Sequence, residues 1–186
     1  MGLFDAAMKR LQQATKGVAA TKSAAQKPAW GGRDPNKANY GKAGAPAPDL
    51  DALVTDAEIE AVTGASPEGE PRRNGPDGSD NDLGRQIIRE STLSNGDKFL
   101  ISLGNCSGPS AAQLAMDRMA EYEKPLAGVG ERALVRVKKY PKKGSSEISV
   151  TALHENFTVA LCHTSTAGRT DPEPLAQLVK KVLTRL

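Results

Sequence analysis

The chain has 186 residues, 38% hydrophobic, 25% charged and only 4% aromatic, with a formal net charge of +3. That balance excludes a coiled coil, a collagen-like chain and a disulfide-dense miniprotein, and no stretch reaches the roughly 20 apolar residues of a spanning helix. The charge is split: residues 1–48 hold eight basic and two acidic side chains, a net of +6, which leaves −3 on the other 138 residues. A basic arm on a mildly acidic body favours anionic partners for the arm.

At the start of the chain Leu3, Phe4, Ala7, Met8, Leu11, Ala14 and Val18 recur at helical spacing. The rhythm predicts an amphipathic helix over residues 1–22, with Asp5 in its first turn and Gly17 weakening its second half. A helix this short is marginal alone in water. Something should therefore cover Leu3, Phe4, Met8 and Leu11, and with Lys9 and Arg10 these six form the candidate docking set. A membrane surface would cover them, as would a groove on a protein scaffold or the chain's own domain. The myristoylation pattern fails because residue 6 is Ala. Residues 23–52, rich in Ala, Gly, Pro and Lys, have no apolar periodicity and read as a flexible linker carrying the isolated aromatics Trp30 and Tyr40.

Residues 53–186 read as a globular α+β domain. Thr55 and Glu58 form a capping box, with Val54 and Ile59 placed as a hydrophobic staple and Gly64 as the stop. Residues 66–84, with Pro67, Gly69, Pro71 and Gly75-Pro76, read as a polar loop. Strands are predicted over 85–93 and 98–104, joined at Asn95-Gly96, a signal for a tight mirror-type turn with positive φ. Residues 110–123 read as a helix with Ala111, Leu114, Ala115, Met119 and Tyr122 on one side, capped by Ser107 or Ser110 and ended by Lys124-Pro125. Three more strands follow at 133–139, 147–153 and 157–162. Asp171 as N-cap and Pro172 as first residue open a closing helix striped by Leu175, Leu178, Val179, Val182, Leu183 and Leu186. The expected fold is a mainly antiparallel sheet of about five strands with packing helices.

Residues 125–137 read PLAGVGERALVRV. The segment Gly128-Val129-Gly130-Glu131, followed by a strand, resembles the signature of an actinobacterial α+β domain of unknown function. Such domains occur in secreted lipoproteins and in the extracellular sensor regions of serine/threonine kinases, and are broadly similar to PsbP-like sandwiches. The resemblance covers residues 53–186. It implies a ligand- or protein-binding module and supplies no catalytic residue. Relatives of that kind are exported or lipid-anchored, whereas no lipobox or signal is visible here.

Other chemistry finds little support. The glycines at 128 and 130 precede a strand rather than a helix, the wrong order for a phosphate loop. Cys162 and His163 are strand neighbours and should face opposite ways, which denies them proton transfer. His154 and His163 form no ligand spacing, and the acidic run 77–82 lacks the order of a calcium loop. Lysines 138, 139, 142 and 143 flank a hairpin tip as edge protection. No catalytic residue, cofactor, metal or nucleic-acid partner is expected, and whether Cys106 and Cys162 pair stays open. The sequence thus predicts a non-enzymatic cytoplasmic binding or adaptor protein, peripheral at the inner membrane face. Residues 1–22 would engage a membrane surface or scaffold, and residues 53–186 an unknown ligand or protein.

Overall fold

The computed structural model describes residues 48–73, 79–80, 84–106 and 108–186. The expected helix over 1–22, its six docking residues and most of the linker lie outside these. In chain order the elements are α1 (Leu50–Leu53), α2 (Asp56–Thr63), β1 (Pro67–Arg73), β2 (Ser79–Asp80), β3 (Gly84–Leu93), β4 (Lys98–Cys106), α3 (Pro109–Ala120), β5 (Lys124–Leu126), β6 (Arg132–Tyr140), β7 (Ser145–His154), β8 (Phe157–Ser165) and α4 (Glu173–Leu183). The strands form one antiparallel sheet in the order β1-β3-β4-β8-β7-β6-β5, with β2 also paired to β3. The α+β class is as the sequence predicts.

One sheet face carries the main core. Ile87, Phe99, Ile101, Leu103, Ile148, Val150, Val159 and Leu161 are buried there against Ile59 of α2 and Leu175, Leu178, Val179 and Val182 of α4. At about 25 cal/mol per Å² of apolar area, burying this stripe is what holds α4, because an eleven-residue helix is marginal alone. The other face is covered at one end by α3, where Ala112 and Met116 pack on Cys106, Leu134 and Leu153.

Local signals that depend on neighbouring residues hold. The Thr55 hydroxyl accepts the Glu58 amide and the Glu58 carboxylate reaches back to the Thr55 amide, so α2 starts on a full capping box. Val54 and Ile59 are both fully buried, and Gly64 ends the helix at φ 76°.

Other details differ from expectation. The stretch read as a polar loop holds β1, an edge strand whose Pro67 and Pro71 are tolerated because an edge needs only one ladder. Lys124–Leu126, read as a helix end, is a second short edge strand against β6. In the β3–β4 turn Gly96 takes φ 80° but Asn95 does not have positive φ, so this is not a mirror-type turn. On α3 the predicted stripe holds in part: Ala111, Ala115 and Met119 pack half-buried toward the sheet, but Leu114 and Tyr122 are exposed, and Ala112 with Met116 makes the fully buried contact. Gly108 is the N-cap of α3, without a side-chain cap. Val137, expected inward, is exposed near the end of β6, beyond the residues that β5 pairs. Pro172 takes the N-cap position of α4, and Asp171 Oδ1 accepts the Glu173 amide from one residue further out.

The glycine signature is architectural. Val129 is buried, and Gly130 at φ 59° lies where a Cβ would come 2.7 Å from the Leu153 carbonyl oxygen. The Glu131 carboxylate accepts the Glu155 amide at 2.5 Å, tying this turn to the β7–β8 hairpin.

Candidate functional site

The site forms where the β3–β4 turn meets the end of β8. Asp97 closes that turn with its side chain fully buried. Its Oδ1 accepts the Thr166 amide at 2.6 Å and the Thr166 hydroxyl at 2.7 Å. Its Oδ2 accepts Asn95 Nδ2 at 3.1 Å and meets His163 Nε2 at 3.0 Å. Burial alone would raise the Asp97 pKa; the bonds from Thr166, His163 and Asn95 more than reverse that and hold it below the ordinary value.

A carboxylate can only accept, so the imidazole proton sits on Nε2. The His163 ring is 4% exposed. Its burial lowers its pKa; Asp97 opposes this and nearby Arg169 reinforces it, leaving the net shift downward. Near neutral pH the ring is therefore uncharged, and Nδ1 carries a lone pair. Among the described residues no donor reaches Nδ1.

His163 lines a cleft of about 410 Å³ between α2, the β8–α4 connection and the start of α4. Val62, Ile148 and Leu175 supply apolar wall; Arg169, Thr170 and Asp171 supply the polar part. Arg169 donates from Nη1 to the Thr63 carbonyl at 2.5 Å, and its own carbonyl accepts the Ser146 hydroxyl. Its guanidinium lies 3.1 Å from where a Cβ on Gly64 would sit, so the glycine that stops α2 also makes room for this side chain. Among the described residues no carboxylate forms an ion pair with Arg169. A concave, mostly apolar site with a few fixed polar groups is the usual form of a small-ligand pocket.

Two other places gather polar side chains. A hollow of about 280 Å³ is lined by Arg72, Arg73, Ile88, Glu90 and Leu100. Two of its three charged side chains are already paired, Arg73 with Asp51 at 2.6 Å and Glu90 with Lys98 at 3.1 Å, and it is the smaller of the two hollows. On the α3 side of the sheet Arg136 bonds Glu147 at 2.6 Å, beside Glu123 and Cys162. Burial raises the Glu123 pKa, which Arg136 opposes and Glu147 augments, and its Oε2 is buried without a partner. Burial, aided by Glu147, pushes the Cys162 thiol up to about 11, and burial also raises Cys106. Neither thiol is a nucleophile near neutral pH.

Cys106 and Cys162 are both free. Cys162 lies on the sheet face opposite His163, as strand alternation requires. Among the described residues no group of three or more His, Cys, Asp or Glu could hold a metal. The sequence reasoning missed Asp97 and Arg169. An Asp after Asn-Gly is an ordinary turn residue, and its partners His163 and Thr166 lie 66 and 69 residues away. Arg89 was missed too. It is buried on the core face of β3, bonding the Val54 carbonyl at 2.9 Å, Asp51 at 3.1 Å and Asp56, and so fixes α1 and α2 to the sheet.

No protein-family model and no curated protein matches the chain. Among solved structures it is similar to the extracellular domain of PknH from Mycobacterium tuberculosis, with 12% identity and a TM-score of 0.45, over 76% of this chain and 97% of that one. At this identity and score the likeness assigns no ligand or activity. The neighbour is an extracellular domain, which contradicts the cytoplasmic location expected above, and that expectation does not stand. It rested on reading no signal in the opening residues, which lie outside the described ones.

Proposed function

We propose that residues 50–186 form a non-enzymatic binding module whose ligand seat is the Asp97–His163 cleft. The carrying observation is the buried imidazole lining that cleft, fixed through Nε2 by an ionised carboxylate and left with a free Nδ1. Holding a ring in one tautomer pre-organises a hydrogen-bonding atom, which lowers the ordering cost of binding. What argues against thiol chemistry at His163 is the placement of Cys162. The wall beside it offers Arg169, Thr170 and Asp171, and Cys162 points away with its thiol at about 11.

The test is a fragment screen by saturation-transfer NMR on the full-length chain and on Thr170→Trp, which puts an indole in the cleft. Binders should lose their signal with the variant. Binders that recognise both forms equally would sink the reading.

The arm has a separate part in this proposal. Residues 1–22, through Leu3, Phe4, Met8, Lys9, Arg10 and Leu11, would attach the module to a membrane surface; the tether ends before residue 50, because Leu50 of α1 is packed in the core. Liposome co-sedimentation of the full chain against a form lacking 1–22 tests it. Binding that needs anionic lipid and weakens with salt supports a membrane. Salt-resistant capture on a protein scaffold, indifferent to lipid, would instead favour a structural or cargo component whose N-terminal helix docks on that scaffold.

A further inference from the structure

Resting on the reading of the cleft as a ligand seat, we propose that it takes a small organic anion, a carboxylate on an apolar body. His163 takes up a proton when that anion binds.

Three features of the cleft point the same way. Arg169 spends one N–H on the Thr63 carbonyl and has no carboxylate partner among the described residues, so its charge is available to a ligand. A guanidinium presents donors in a fork that matches a carboxylate. The eleven-residue helix α4 begins at the cleft; Asp171 and Glu173 offset part of the positive end of its dipole, and the remainder adds to the same preference. The third feature is the buried His163 ring, with Nε2 on Asp97 and Nδ1 free among the described residues. The apolar body would lie against Val62, Ile148 and Leu175, in a volume of about 410 Å³ that suits a compact ligand.

The charged groups around the ring set the sign of the proton linkage. Asp97 reaches it from the β3–β4 turn, and Arg169 and Asp171 line the cleft from the β8–α4 connection. Val62 of α2, Ile148 of β7 and Leu175 of α4 bring no charge. In the free protein Arg169 and burial keep the ring neutral against the pull of Asp97. Asp171 does not fill the anion's place on Arg169: it is exposed, and its Oδ1 holds the Glu173 amide at 3.0 Å. A bound carboxylate would offset Arg169 and give Nδ1 an acceptor. The imidazolium then lies between two carboxylates, and binding one anion draws in one proton.

The experiment uses the full-length chain labelled with ¹³C and ¹⁵N in histidine. The sequence has two histidines, so His154, partly exposed at the end of β7, is the internal control. Three probes of one shape are titrated between pH 5.5 and 8: phenylacetate, neutral 2-phenylethanol and phenethylammonium. Phenylacetate should bind at least about tenfold more tightly than either. Its Kd should tighten as pH falls, approaching about tenfold per pH unit between the free and bound pKa values of the ring. His163 should shift toward the imidazolium signature on binding while His154 does not. Equal or tighter binding of the alcohol or ammonium, or a Kd flat in pH, overturns the anion inference and leaves the cleft reading standing. If none of the three moves His163 or the cleft resonances, the cleft reading fails and takes the inference with it. Arg169→Gln should abolish the preference for phenylacetate. Should that variant fold poorly, the wild-type titration decides alone.

Discussion

Replacing Asp97 by Ala tests the buried pair on which the cleft depends. The substitution removes the acceptor for four bonds, from Thr166 N, Thr166 Oγ1, Asn95 Nδ2 and His163 Nε2. Thr166 and Asn95 are exposed and can turn to water. His163, with 4% of its side chain exposed, cannot, so its Nε2–H is stranded. An orphaned buried donor costs about 1–3 kcal/mol, and losing charge-assisted bonds at the turn adds about 1 kcal/mol, for a total of about 3 kcal/mol. For a domain of this size that lowers Tm by about 10 °C. Asp97→Asn should cost less, because His163 can switch its proton to Nδ1 and accept at Nε2. The assay is thermal unfolding against pH, with ¹⁵N shifts of the His163 ring to read the tautomer. The folded pKa of Asp97 lies below its ordinary value. Its contribution is therefore complete above that value and is lost as pH falls through the folded pKa. The Ala variant should lose this acid-side slope. A Tm within about 2 °C of wild type, or an unchanged tautomer in the Asn variant, would refute the assignment.

Glu123→Gln should stabilise the protein by about 1 kcal/mol near neutral pH, since it removes a charge from a carboxyl whose Oε2 is buried without a partner. The folded Glu123 pKa is raised, so the wild type gives up this stability as pH rises through the window above the ordinary value; denaturant melts at two pH values should show the gap closing in acid. Gly130→Ala should cost about 3 kcal/mol, from left-handed strain plus a Cβ driven against the Leu153 carbonyl and Leu183. Gly128→Ala, where a Cβ meets open space, should cost about 1 kcal/mol. Equal costs in urea melts would mean the glycine signature is not a packing device. Neither Cys106 nor Cys162 should react appreciably with iodoacetamide in the native protein at pH 8, and both should react on unfolding; rapid native labelling followed by mass spectrometry would contradict the raised thiol pKa values.

What could be read from the sequence was what short-range chemistry decides. The capping box at Thr55 and Glu58, the stop at Gly64, the alternation of Phe99, Ile101 and Leu103, and the stripe on α4 as far as Leu183 each depend on residues within a few positions, and each is present; Leu186, beyond the helix end, is exposed. The edge strands β1 and β5 were read as loop because an edge is held by backbone pairing to β3 or β6, which leaves no mark in a Pro-rich, polar string. The stripe on α3 was partly misplaced because hydrophobicity ranks Leu114 and Tyr122 above Ala112, whereas close approach to the sheet favours the smaller side chain. The candidate site was hidden for a related reason. Asp97, His163 and Arg169 are single polar residues in unremarkable surroundings. They become a unit only when β8 is paired beside β4, placing His163 opposite Phe99 and next to the turn that holds Asp97.

The central claim is that the cleft beside His163 is where this domain binds its ligand. Amide chemical-shift mapping of the full-length chain, titrated with the strongest binder from the fragment screen, tests it most directly. Saturable shifts confined to Val62, Ile148, His163, residues 168–171 and Leu175 are expected. Saturable shifts at Ile88, Glu90 and Leu100, or around Glu123 and Arg136, with the cleft resonances unmoved, would contradict it.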